Sequence, residues 1–556
     1  MNKLWLKNYP EGVPEQINPD EYRSLRELID EGCANFAQSS AYTSLGRTLT
    51  YSEYQRFARD FAAWLQEAGV TKGDRIALML PNVLQYPIAL YGALLAGLTI
   101  VNTNPLYTAR ELEHQLVDSG AKAIVILENF AHTLEQVITK TNVQVVITTA
   151  VGDRLGWPKS VLVNLVIKYV RRQVPKWDLP ESVPFNRVLG QGRYLPLTPA
   201  ELNHDDIAFL QYTGGTTGIA KGAMLTHRNL IANVLQSGAW IGSAAKPGQD
   251  TIITALPLYH IFALTANWMV FLKFGAHNVL IANPRDFTAF VAELKKYRFT
   301  YFSGVNTLFN ALLNTPGFSE VDFSQLRITL GGGMAVQRAV AEQWKKVTGH
   351  AVTQAWGLTE TSPGACINPF ALDFNGSIGL PLPSTEISIR DDAGNELAVG
   401  QIGEICVRGP QVMRGYWNRP DETEKVMIGD WLRTGDIGRM DQEGFTYIED
   451  RKKDMILVSG FNVYPNEIES VVAMHPGVLE VAAVAQPDER SGEVVALFVV
   501  RKDPNLTAQQ LIDFCRTELT GYKVPKHVYF RDELPKTNVG KILRRAVRDL
   551  LPAAKG

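Results

Sequence analysis

Cysteine is scarce in this sequence, and the four cysteines that occur are far apart in the chain. No two of them have the spacing of a zinc site or of a redox pair, which excludes the short cysteine motifs of both classes. Isolated cysteines of this kind are typical of reduced thiols, mostly buried, in a cytosolic protein. They are Cys33, Cys366, Cys406 and Cys515.

An excess of charge of one sign is also absent, as is a long hydrophobic run. The formal net charge is −2, so bulk charge indicates neither nucleic-acid nor membrane partners. Residues 1–20 contain no apolar run, and we therefore expect no secretory signal. The longest apolar stretch, residues 88–101, is too short to cross a membrane and contains glycines, which favours a core helix that runs into a strand.

Apolar runs of strand length recur along the chain, with helical patterns between several of them, for example at 51–68 and 108–119. This alternation predicts an α/β fold in which parallel sheets are covered by helices. The hydrophobic content of 46% is ample for a large core and favours more than one. The runs lie at 76–80, 123–126, 143–147, 207–212, 252–256, 279–282 and 328–330.

The pattern changes after Pro381, where short strands separated by Asp/Gly turns predict a small antiparallel part. These strands lie at 387–390, 404–408 and 445–448. A charged joint at 449–454 follows, and beyond it the pattern predicts an α+β unit of about 100 residues. Its elements are a helix at 465–472, strands at 478–485 and 494–500, and a helix at 506–519.

This organisation predicts a large N-terminal domain at 1–449, a hinge linker at 450–454 and a smaller C-terminal domain at 455–556. The chain from Gly521 onwards is basic, with nine Lys and Arg residues against three acidic ones. A solvated surface and an anion site both fit this basic segment.

Residues 210–230 read LQYTGGTTGIAKGAMLTHRNL, a loop too rich in glycine to belong to the core. Glycines let backbone N–H groups converge on a ligand, threonines add hydroxyl donors and a lysine adds positive charge, a combination that suits a polyphosphate. The alternative is a flexible solvent loop. The Walker pattern is excluded because Lys221 lies between Ala220 and Gly222, and a Rossmann fingerprint is absent.

The loop resembles the phosphate-binding signature of the adenylate-forming superfamily, which includes acyl-CoA synthetases, peptide-synthetase adenylation domains and firefly luciferase. Further segments resemble the family's motifs in the expected order: LPLYHIFAL at 256–264, LGGGMAV at 330–336 and WGLTET at 356–361. Residues 431–456 resemble the signature of fatty acyl-CoA synthetases, and PKTNVGKILRR at 535–545 resembles the C-terminal lysine loop.

This resemblance implies a large N-terminal AMP-binding domain of helix-covered mixed sheets with a small antiparallel part, and a smaller, mobile α+β C-terminal domain. It implies ATP-dependent activation of a long-chain fatty acid to acyl-CoA through an acyl-adenylate, with release of AMP and pyrophosphate. A carboxylate is a poor acyl electrophile, and adenylation supplies AMP as a good leaving group for attack by a thiol. Mg²⁺, ATP and coenzyme A are the implied cofactor and co-substrates.

The resemblance also assigns candidate site residues. The implied catalytic residues are Lys541, Lys221, His260 and Glu360, and the implied magnesium-associated residues are Thr213 and Glu360. The implied contacts to nucleotide or coenzyme A are Tyr212, Thr213, Gly214, Gly215, Thr216, Thr217, Gly218, Lys221, Gly333, Trp356, Gly357, Thr359, Asp436, Arg451 and Gly460.

Each assignment has a structural alternative when its residue is considered alone. Glu360 fits a helix-capping acid, Asp436 a turn aspartate, Lys541 a surface lysine and His260 a hydrogen-bonded core residue. In the family pattern Asp436 holds the ribose hydroxyls, Lys541 reaches the α-phosphate and carboxylate oxygens, and His260 positions the substrate carboxylate. Arg451 matches a second ribose or phosphate contact.

One residue departs from the family pattern, because Trp356 stands where most members have the tyrosine that stacks on adenine. An indole offers a larger stacking face but replaces the phenol O–H with an N–H. We expect ATP binding to survive with altered hydrogen bonding.

The resemblance further implies that the C-terminal domain rotates about Lys453 after adenylation. Residues 459–462 would then face the site, with Gly460 letting the pantetheine pass close to the backbone. For the acyl tunnel wall we name Val305, Gly331, Gly333 and Met334 as candidates.

Residues 159–176 read KSVLVNLVIKYVRRQVPK and predict an amphipathic helix. Asn164, Lys168, Arg171 and Arg172 share one face, and Leu162, Leu165, Val166 and Tyr169 share the opposite one. Two interpretations remain open: an interfacial basic helix at a membrane surface, or a helix that covers the core with a basic outer face.

Three functions are consistent with these motifs. The first is a long-chain acyl-CoA synthetase, placed in the cytoplasm or on the inner face of the cell membrane. The second is a fatty acyl-AMP ligase that passes the acyl group to a carrier protein, although the insertion typical of those relatives is not found near the linker. The third is a catalytically silent lipid-binding membrane adaptor. Dimers are known among relatives, so the resemblance allows a homodimer, and no nucleic-acid partner is expected.

Overall fold

The computed structural model describes residues 3–213, 220–488 and 490–552 of the chain. Within these ranges the predicted alternation of strands and helices is confirmed. The strands are β1 Ser40–Ser44, β2 Arg47–Thr50, β3 Arg75–Met79, β4 Thr99–Asn102, β5 Ala123–Leu127, β6 Val145–Thr149, β7 Val183–Pro184, β8 Ile207–Thr213, β9 Lys221–Thr226, β10 Thr251–Thr254, β11 His277–Leu280, β12 Tyr301–Gly304, β13 Ile328–Gly331, β14 Val352–Gly357, β15 Gly364–Ile367, β16 Leu380–Pro381, β17 Glu386–Arg390, β18 Gly403–Arg408, β19 Met427–Ile428, β20 Trp431–Met440, β21 Thr446–Arg451, β22 Ile456–Val458, β23 Phe461–Val463, β24 Val478–Asp488, β25 Gly492–Arg501 and β26 His527–Arg531.

The α-helices are α1 Leu25–Asn35, α2 Tyr51–Glu67, α3 Gln85–Leu95, α4 Ala109–Ser119, α5 Ala131–Glu135, α6 Lys159–Leu165, α7 Phe185–Gly192, α8 His227–Ile241, α9 Ile261–Ala263, α10 Val270–Lys273, α11 Phe287–Leu294, α12 Asn306–Leu313, α13 Arg338–Thr348, α14 Pro420–Val426, α15 Pro465–Val472, α16 Ala508–Glu518 and α17 Arg544–Arg548. Two π-helical segments continue α6 and α9, at Val166–Val170 and Leu264–Met269.

Two large sheets form the N-terminal part of the molecule. A seven-stranded sheet has the order β7-β6-β5-β3-β4-β8-β9, and a nine-stranded sheet has the order β16-β15-β14-β13-β12-β10-β11-β1-β2. Most neighbours are parallel, while β9, β15, β16 and β2 pair antiparallel with their neighbours. A continuous apolar core packs helices against both sheets, so the predicted helix-covered mixed sheets are confirmed.

Two smaller sheets follow in the chain. The first is antiparallel, with the order β17-β18-β20-β19 and with β21 also paired with β20, as predicted for the region after Pro381. The second, of order β23-β22-β25-β24 with β26 beside β25, packs on α15 and α16 around its own apolar cluster. This is the expected α+β unit, while the domain boundaries at 449 and 455 stay a prediction.

Local sequence explains why the main helices begin where they do. Thr50 and Glu53 form a reciprocal capping box at the start of α2, and Thr108 and Glu111 form another at the start of α4. The apolar stretch 88–101 falls in α3, which is buried on all sides, and in β4, as predicted. Among the described helices, none has the length and apolar character needed to span a bilayer.

The segment at 159–176 differs in detail from the predicted helix. Its helical part ends at Val170, so Arg171 and Arg172 lie beyond it. Asn164 points inward rather than outward and hydrogen-bonds Asp153 and the Gly152 amide. The apolar side chains do not cover the core: Leu162, with 63% of its surface exposed, and Tyr169, with 65%, face solvent. The core-covering interpretation is therefore wrong.

A buried ion cluster joins the linker to the C-terminal unit. Arg544 of α17 contacts Asp450 at 2.9 Å, Glu469 of α15 at 2.8 Å and Asn466 at 2.5 Å. Burial raises the pKa of both carboxyl groups, and the Arg544 guanidinium opposes that rise. The arginine thus compensates two charges that have little access to water.

Replacing Arg544 by leucine should destabilise this unit, because it leaves two buried carboxylates without a partner. We expect the free energy of unfolding to fall by about 3–5 kcal/mol at pH 8. In the folded variant the two carboxyl groups would keep a raised pKa. The loss of unfolding free energy relative to the wild type should therefore shrink as the pH falls and both carboxyl groups become protonated. Urea denaturation at pH 8 and pH 5.5 measures this. Arg545→Leu, on the exposed side of the same helix, is the control, and equal deficits in the two variants would contradict the role of the cluster.

Candidate active site

A cavity of about 2270 Å³ opens at the carboxyl ends of the central parallel strands and extends to the C-terminal unit. This is the edge at which open α/β sheets bind ligands. It brings together predicted site residues that are far apart in the chain. Those lining it are Tyr212, Thr213, Lys221, His260, Gly333, Trp356, Gly357, Thr359, Glu360, Asp436, Arg451 and Lys541.

The remaining predicted residues fall into two groups. Gly214, Gly215, Thr216, Thr217 and Gly218 lie outside the described residues. Gly460 is at the exposed turn between β22 and β23, with φ +85°, and is not part of the cavity wall. The sequence-based role of Gly460 belongs to a rotated arrangement and stays a prediction.

The ends of the glycine-rich loop are held by the β8–β9 hairpin, in which Thr213 pairs with Lys221. The ammonium group of Lys221 lies 2.7 Å from Glu422 Oε2 and 4.7 Å from the centre of the Tyr416 ring. Hydrogen bonds from Lys221 and Lys425 lower the pKa of Glu422 to about 2. A phosphate that reached Lys221 would replace Glu422 as its anionic partner.

Glu360 lies in a 3-10 turn that directly follows β14. The Tyr416 hydroxyl donates to Glu360 Oε1 at 2.6 Å, and burial, followed by the Glu360 charge, raises the pKa of Tyr416. The phenol therefore stays protonated and orients the carboxylate. Sequence reasoning missed both Tyr416 and Glu422, because neither lies in a segment with a recognisable chemical pattern.

The residue types at Thr213 and Glu360 fit magnesium. Mg²⁺ prefers one or two protein oxygens together with phosphate oxygens and water rather than a full protein cage. The described residues contain no group of three or more His, Cys, Asp or Glu side chains placed to hold a metal by themselves. Tyr416 uses one oxygen of Glu360, and Oε2 has no hydrogen-bond partner among the described residues.

Asp436 is held between two side chains. Trp356 Nε1 donates to Asp436 Oδ2 at 2.9 Å, and Arg451 Nε lies 2.5 Å from Asp436 Oδ1. Asp436 and Arg451 are opposite each other in the β20–β21 ladder, which fixes their approach. Burial raises the pKa of Asp436, and Arg451 and the indole N–H oppose this. The unusual tryptophan thus orients the carboxylate predicted to hold the ribose.

His260 precedes α9 and lies in the cavity wall. Its Nδ1 accepts from the Phe262 amide at 3.3 Å, which places the proton of a neutral ring on Nε2. Burial, and then the charge of Lys541, lowers the pKa of His260 to about 3. The ring is therefore a neutral hydrogen-bond donor at pH 7, in agreement with a positioning role rather than that of an acid.

Lys541 reaches the cavity on a loop of the C-terminal unit. The loop docks through the Thr307 hydroxyl, which donates to the Gly540 carbonyl at 2.7 Å. A Cβ built on Gly333 would lie 3.1 Å from Cε of Lys541, so the lysine rests against bare backbone at a residue with φ +77°. Burial and the charge of Arg451 lower the pKa of Lys541 to about 8, and Asp436 opposes this.

The wall of the apolar half of the cavity differs from the predicted one. Gly333 and Met334 line it, but Gly331 does not, and a side chain there would meet Val336 and Val352. Val305 is not among the lining residues, although it lies beside Gly333 and Gly540. The wall residues that sequence reasoning missed include Ile252, Phe271, Tyr301, Ile328 and Leu330. The alternation of Ile328, Leu330 and Gly332 along the chain could have indicated part of this wall.

Comparisons with known proteins agree with this geometry. A family model described as AMP-binding enzyme matches residues 29–417, and one described as AMP-binding enzyme C-terminal domain matches residues 467–541. The chain belongs to the AMP-binding enzyme family. The resemblance inferred from the motifs is therefore confirmed.

Members of the AMP-binding family resemble the chain along nearly its whole length. A long-chain-fatty-acid–CoA ligase of Escherichia coli O157:H7 is 58% identical over 551 residues, covering 99% of this chain and 98% of that protein. The structure of ATP-bound MatB from Rhodopseudomonas palustris aligns with a TM-score of 0.80 at 28% identity, over 95% of this chain and 98% of that one. Anthranilate CoA ligase AuaEII with anthranoyl-AMP aligns with a TM-score of 0.85 at 24% identity, over 96% and 98%, which supports the shared fold.

Replacing Trp356 by phenylalanine should separate ring stacking from carboxylate orientation. Phenylalanine keeps an aromatic face but lacks the N–H that binds Asp436. We expect the KM for ATP to rise by about 10- to 100-fold, as for loss of a hydrogen bond to a charged group, with a smaller change in kcat. Steady-state kinetics at saturating fatty acid and CoA measures this. An unchanged KM for ATP would show that the Trp356–Asp436 bond does not position the carboxylate.

Proposed function

We propose that this AMP-binding family member is a long-chain-fatty-acid–CoA ligase that uses ATP and coenzyme A. The observation that carries the proposal is the arrangement of the buried Lys541 ammonium beside the Asp436–Arg451–Trp356 cluster, at the mouth of an apolar channel. The cluster suits a nucleotide, the channel suits an acyl chain, and Lys541 lies where the two would meet. The relative that is 58% identical bears the same name.

In the first step a carboxylate oxygen attacks the α-phosphorus of ATP, and pyrophosphate leaves with the bonding electrons. Two anions must approach each other, so fixed positive charge at this point is the main requirement. Lys541, with a pKa of about 8, is protonated at pH 7 and supplies that charge. The neutral His260 can donate its Nε2 proton in a hydrogen bond to the carboxylate, and Asp436 can accept from the ribose hydroxyls.

Thr213 and Glu360 are the residues proposed to hold Mg²⁺, with Tyr416 fixing the glutamate. When bound, the ion neutralises charge on the phosphate oxygens of ATP. The chain's own contribution is to orient these two oxygen groups at the end of the β8–β9 hairpin and of β14.

In the second step the CoA thiolate attacks the acyl carbon of the adenylate and AMP leaves. Lys541 lines the cavity in this structure, and Gly460 is not part of its wall. We propose that the C-terminal domain, 455–556, rotates about Lys453 in the linker 450–454 relative to the domain 1–449, which withdraws Lys541 and presents Gly460 to the pantetheine. Short linkers that absorb such rotations are a recurrent feature of domain motions.

Exchange of labelled pyrophosphate into ATP, dependent on palmitate, tests the adenylation step. We expect robust exchange by the wild-type protein, and a loss of about 100-fold or more in Lys541→Ala, because the charge that stabilises the transition state is removed. The wild-type rate should fall as the pH rises through about 8, where Lys541 loses its proton. Lys526→Ala, an exposed lysine outside the cavity wall, is the matched control.

The outcomes separate the rival functions. Thioester formation with free CoA supports the ligase, and thioester formation only with a carrier protein would favour the acyl-AMP ligase. No exchange by folded protein with excess magnesium would leave the lipid-binding adaptor as the better explanation.

We also propose that the protein contacts membrane lipid from the cytoplasmic face, through residues 157–172. Trp157, which precedes α6, is 88% exposed, and Val170, which ends the π-helical continuation of α6, is 74% exposed. Lys168, Arg171 and Arg172 accompany this apolar surface, so anionic headgroups and acyl chains have complementary partners. A fatty-acid enzyme there could take its substrate directly from the bilayer. The homodimer stays a prediction.

Flotation with vesicles containing phosphatidylglycerol tests the lipid contact. The triple variant Lys168→Glu/Arg171→Glu/Arg172→Glu should reduce bound protein by about tenfold or more, since each basic residue near an anionic surface contributes. Leu162→Ser/Tyr169→Ser should reduce it as well. Tyr194→Ser removes an equally exposed aromatic outside this segment and should have no effect. Equal flotation of all variants would remove the proposal.

A further inference from the structure

The apolar half of the cavity runs along one face of the nine-stranded sheet. Ile328, Leu330 and Gly332 line it in alternation, and the successive residues Tyr301, Phe302 and Ser303 of the neighbouring strand line it too. Gly332 lies at the carboxyl end, next to the Gly333 backbone against which Lys541 rests, whereas Ile328 begins β13. At a rise of about 3.3 Å per residue these two are roughly 13 Å apart along the strand. The channel therefore runs back from the reaction site towards the amino ends of the strands.

One row of side chains crosses the channel at that far end. Ile252, Tyr301 and Ile328 are in register across the three parallel strands β10, β12 and β13. Phe271 packs on Tyr301 with ring centres 4.5 Å apart and an angle of 60° between the planes. These residues form an apolar cluster of their own, separate from the main core. Tyr301 is the largest side chain of the row and is 2% exposed.

The Tyr301 ring is fixed at both ends. Its hydroxyl donates to the Ala244 carbonyl, beyond the end of α8, at 2.7 Å. The Arg327 guanidinium lies 5.4 Å from the ring centre and is itself paired with the fully buried Asp250 carboxylate. A ring with a hydrogen bond at its tip and a cation over its face cannot turn aside easily to admit a longer chain.

We propose that Tyr301 closes the acyl channel and sets the upper limit on fatty-acid chain length. The proposal rests on the ligase function proposed above and names the residue that selects its substrates. A chain that reaches the Ile252–Tyr301–Ile328 row would have to displace the phenol and break its bond to Ala244. Shorter chains leave the row undisturbed and lose only apolar contact.

The test compares kcat/KM for behenic acid with kcat/KM for lauric acid in the full-length protein. Tyr301→Leu removes the ring but keeps an apolar side chain, and should raise the behenate-to-laurate ratio by about tenfold or more, the usual effect of freeing room for methylenes in a hydrophobic pocket. Tyr301→Phe keeps the ring but loses the bond to Ala244, and should raise the ratio by less than Tyr301→Leu does. Ile328→Phe fills the same row and should lower the ratio.

A ratio is unaffected by partial loss of folded protein, which separates specificity from stability. If Tyr301→Leu changes both acids equally, Tyr301 does not limit chain length and the proposal is overturned. If Tyr301→Leu does not fold, Ile328→Phe decides, and an unchanged ratio there overturns the proposal too. Failure of the ligase function itself is distinguishable, because the wild-type protein would then show no palmitate-dependent pyrophosphate exchange.

Discussion

The burial of the Lys541 ammonium next to Arg451 and Asp436 is the interaction on which the arrangement of the site depends. Burial and Arg451 both oppose the charge, and only Asp436 favours it, so the pKa of the lysine falls to about 8. A cation held in this way is available to an incoming anion. The loop that carries Lys541 also contacts the large N-terminal part through the Thr307–Gly540 hydrogen bond, so the position of the lysine depends on how the C-terminal unit lies.

Asp436 connects this lysine to the rest of the nucleotide site. Asp436 belongs to β20 and its partner Arg451 belongs to β21. Trp356 belongs to β14 of the nine-stranded sheet. The carboxylate is thus the point at which the antiparallel sheet meets the nine-stranded one. The tryptophan that departs from the family pattern acts here as a hydrogen-bond donor as well as an aromatic surface. The indole N–H orients the Asp436 carboxylate, and the residue type at position 356 alone does not reveal such a contact.

Features encoded locally were predicted well from the sequence. The helices α2, α4 and α15 and the apolar strands needed only the properties of adjacent residues. The prediction for residues 159–176 was wrong in part, because periodicity identifies two faces of a helix but not which of them meets the protein. Likewise Gly331 and Gly332 are neighbours in the chain but face opposite sides of a strand, and only Gly332 lines the channel.

The sequence by itself determined the family, the order of the elements and the residues predicted to meet ATP, since short motifs carry the geometry of the loops and turns they form. The tertiary structure alone decided the partners: Tyr416 with Glu360, Glu422 with Lys221, and Tyr301 with Ala244. These pairs join segments distant in the chain. Contacts across such separations depend on how sheets and helices pack, and no local pattern specifies them.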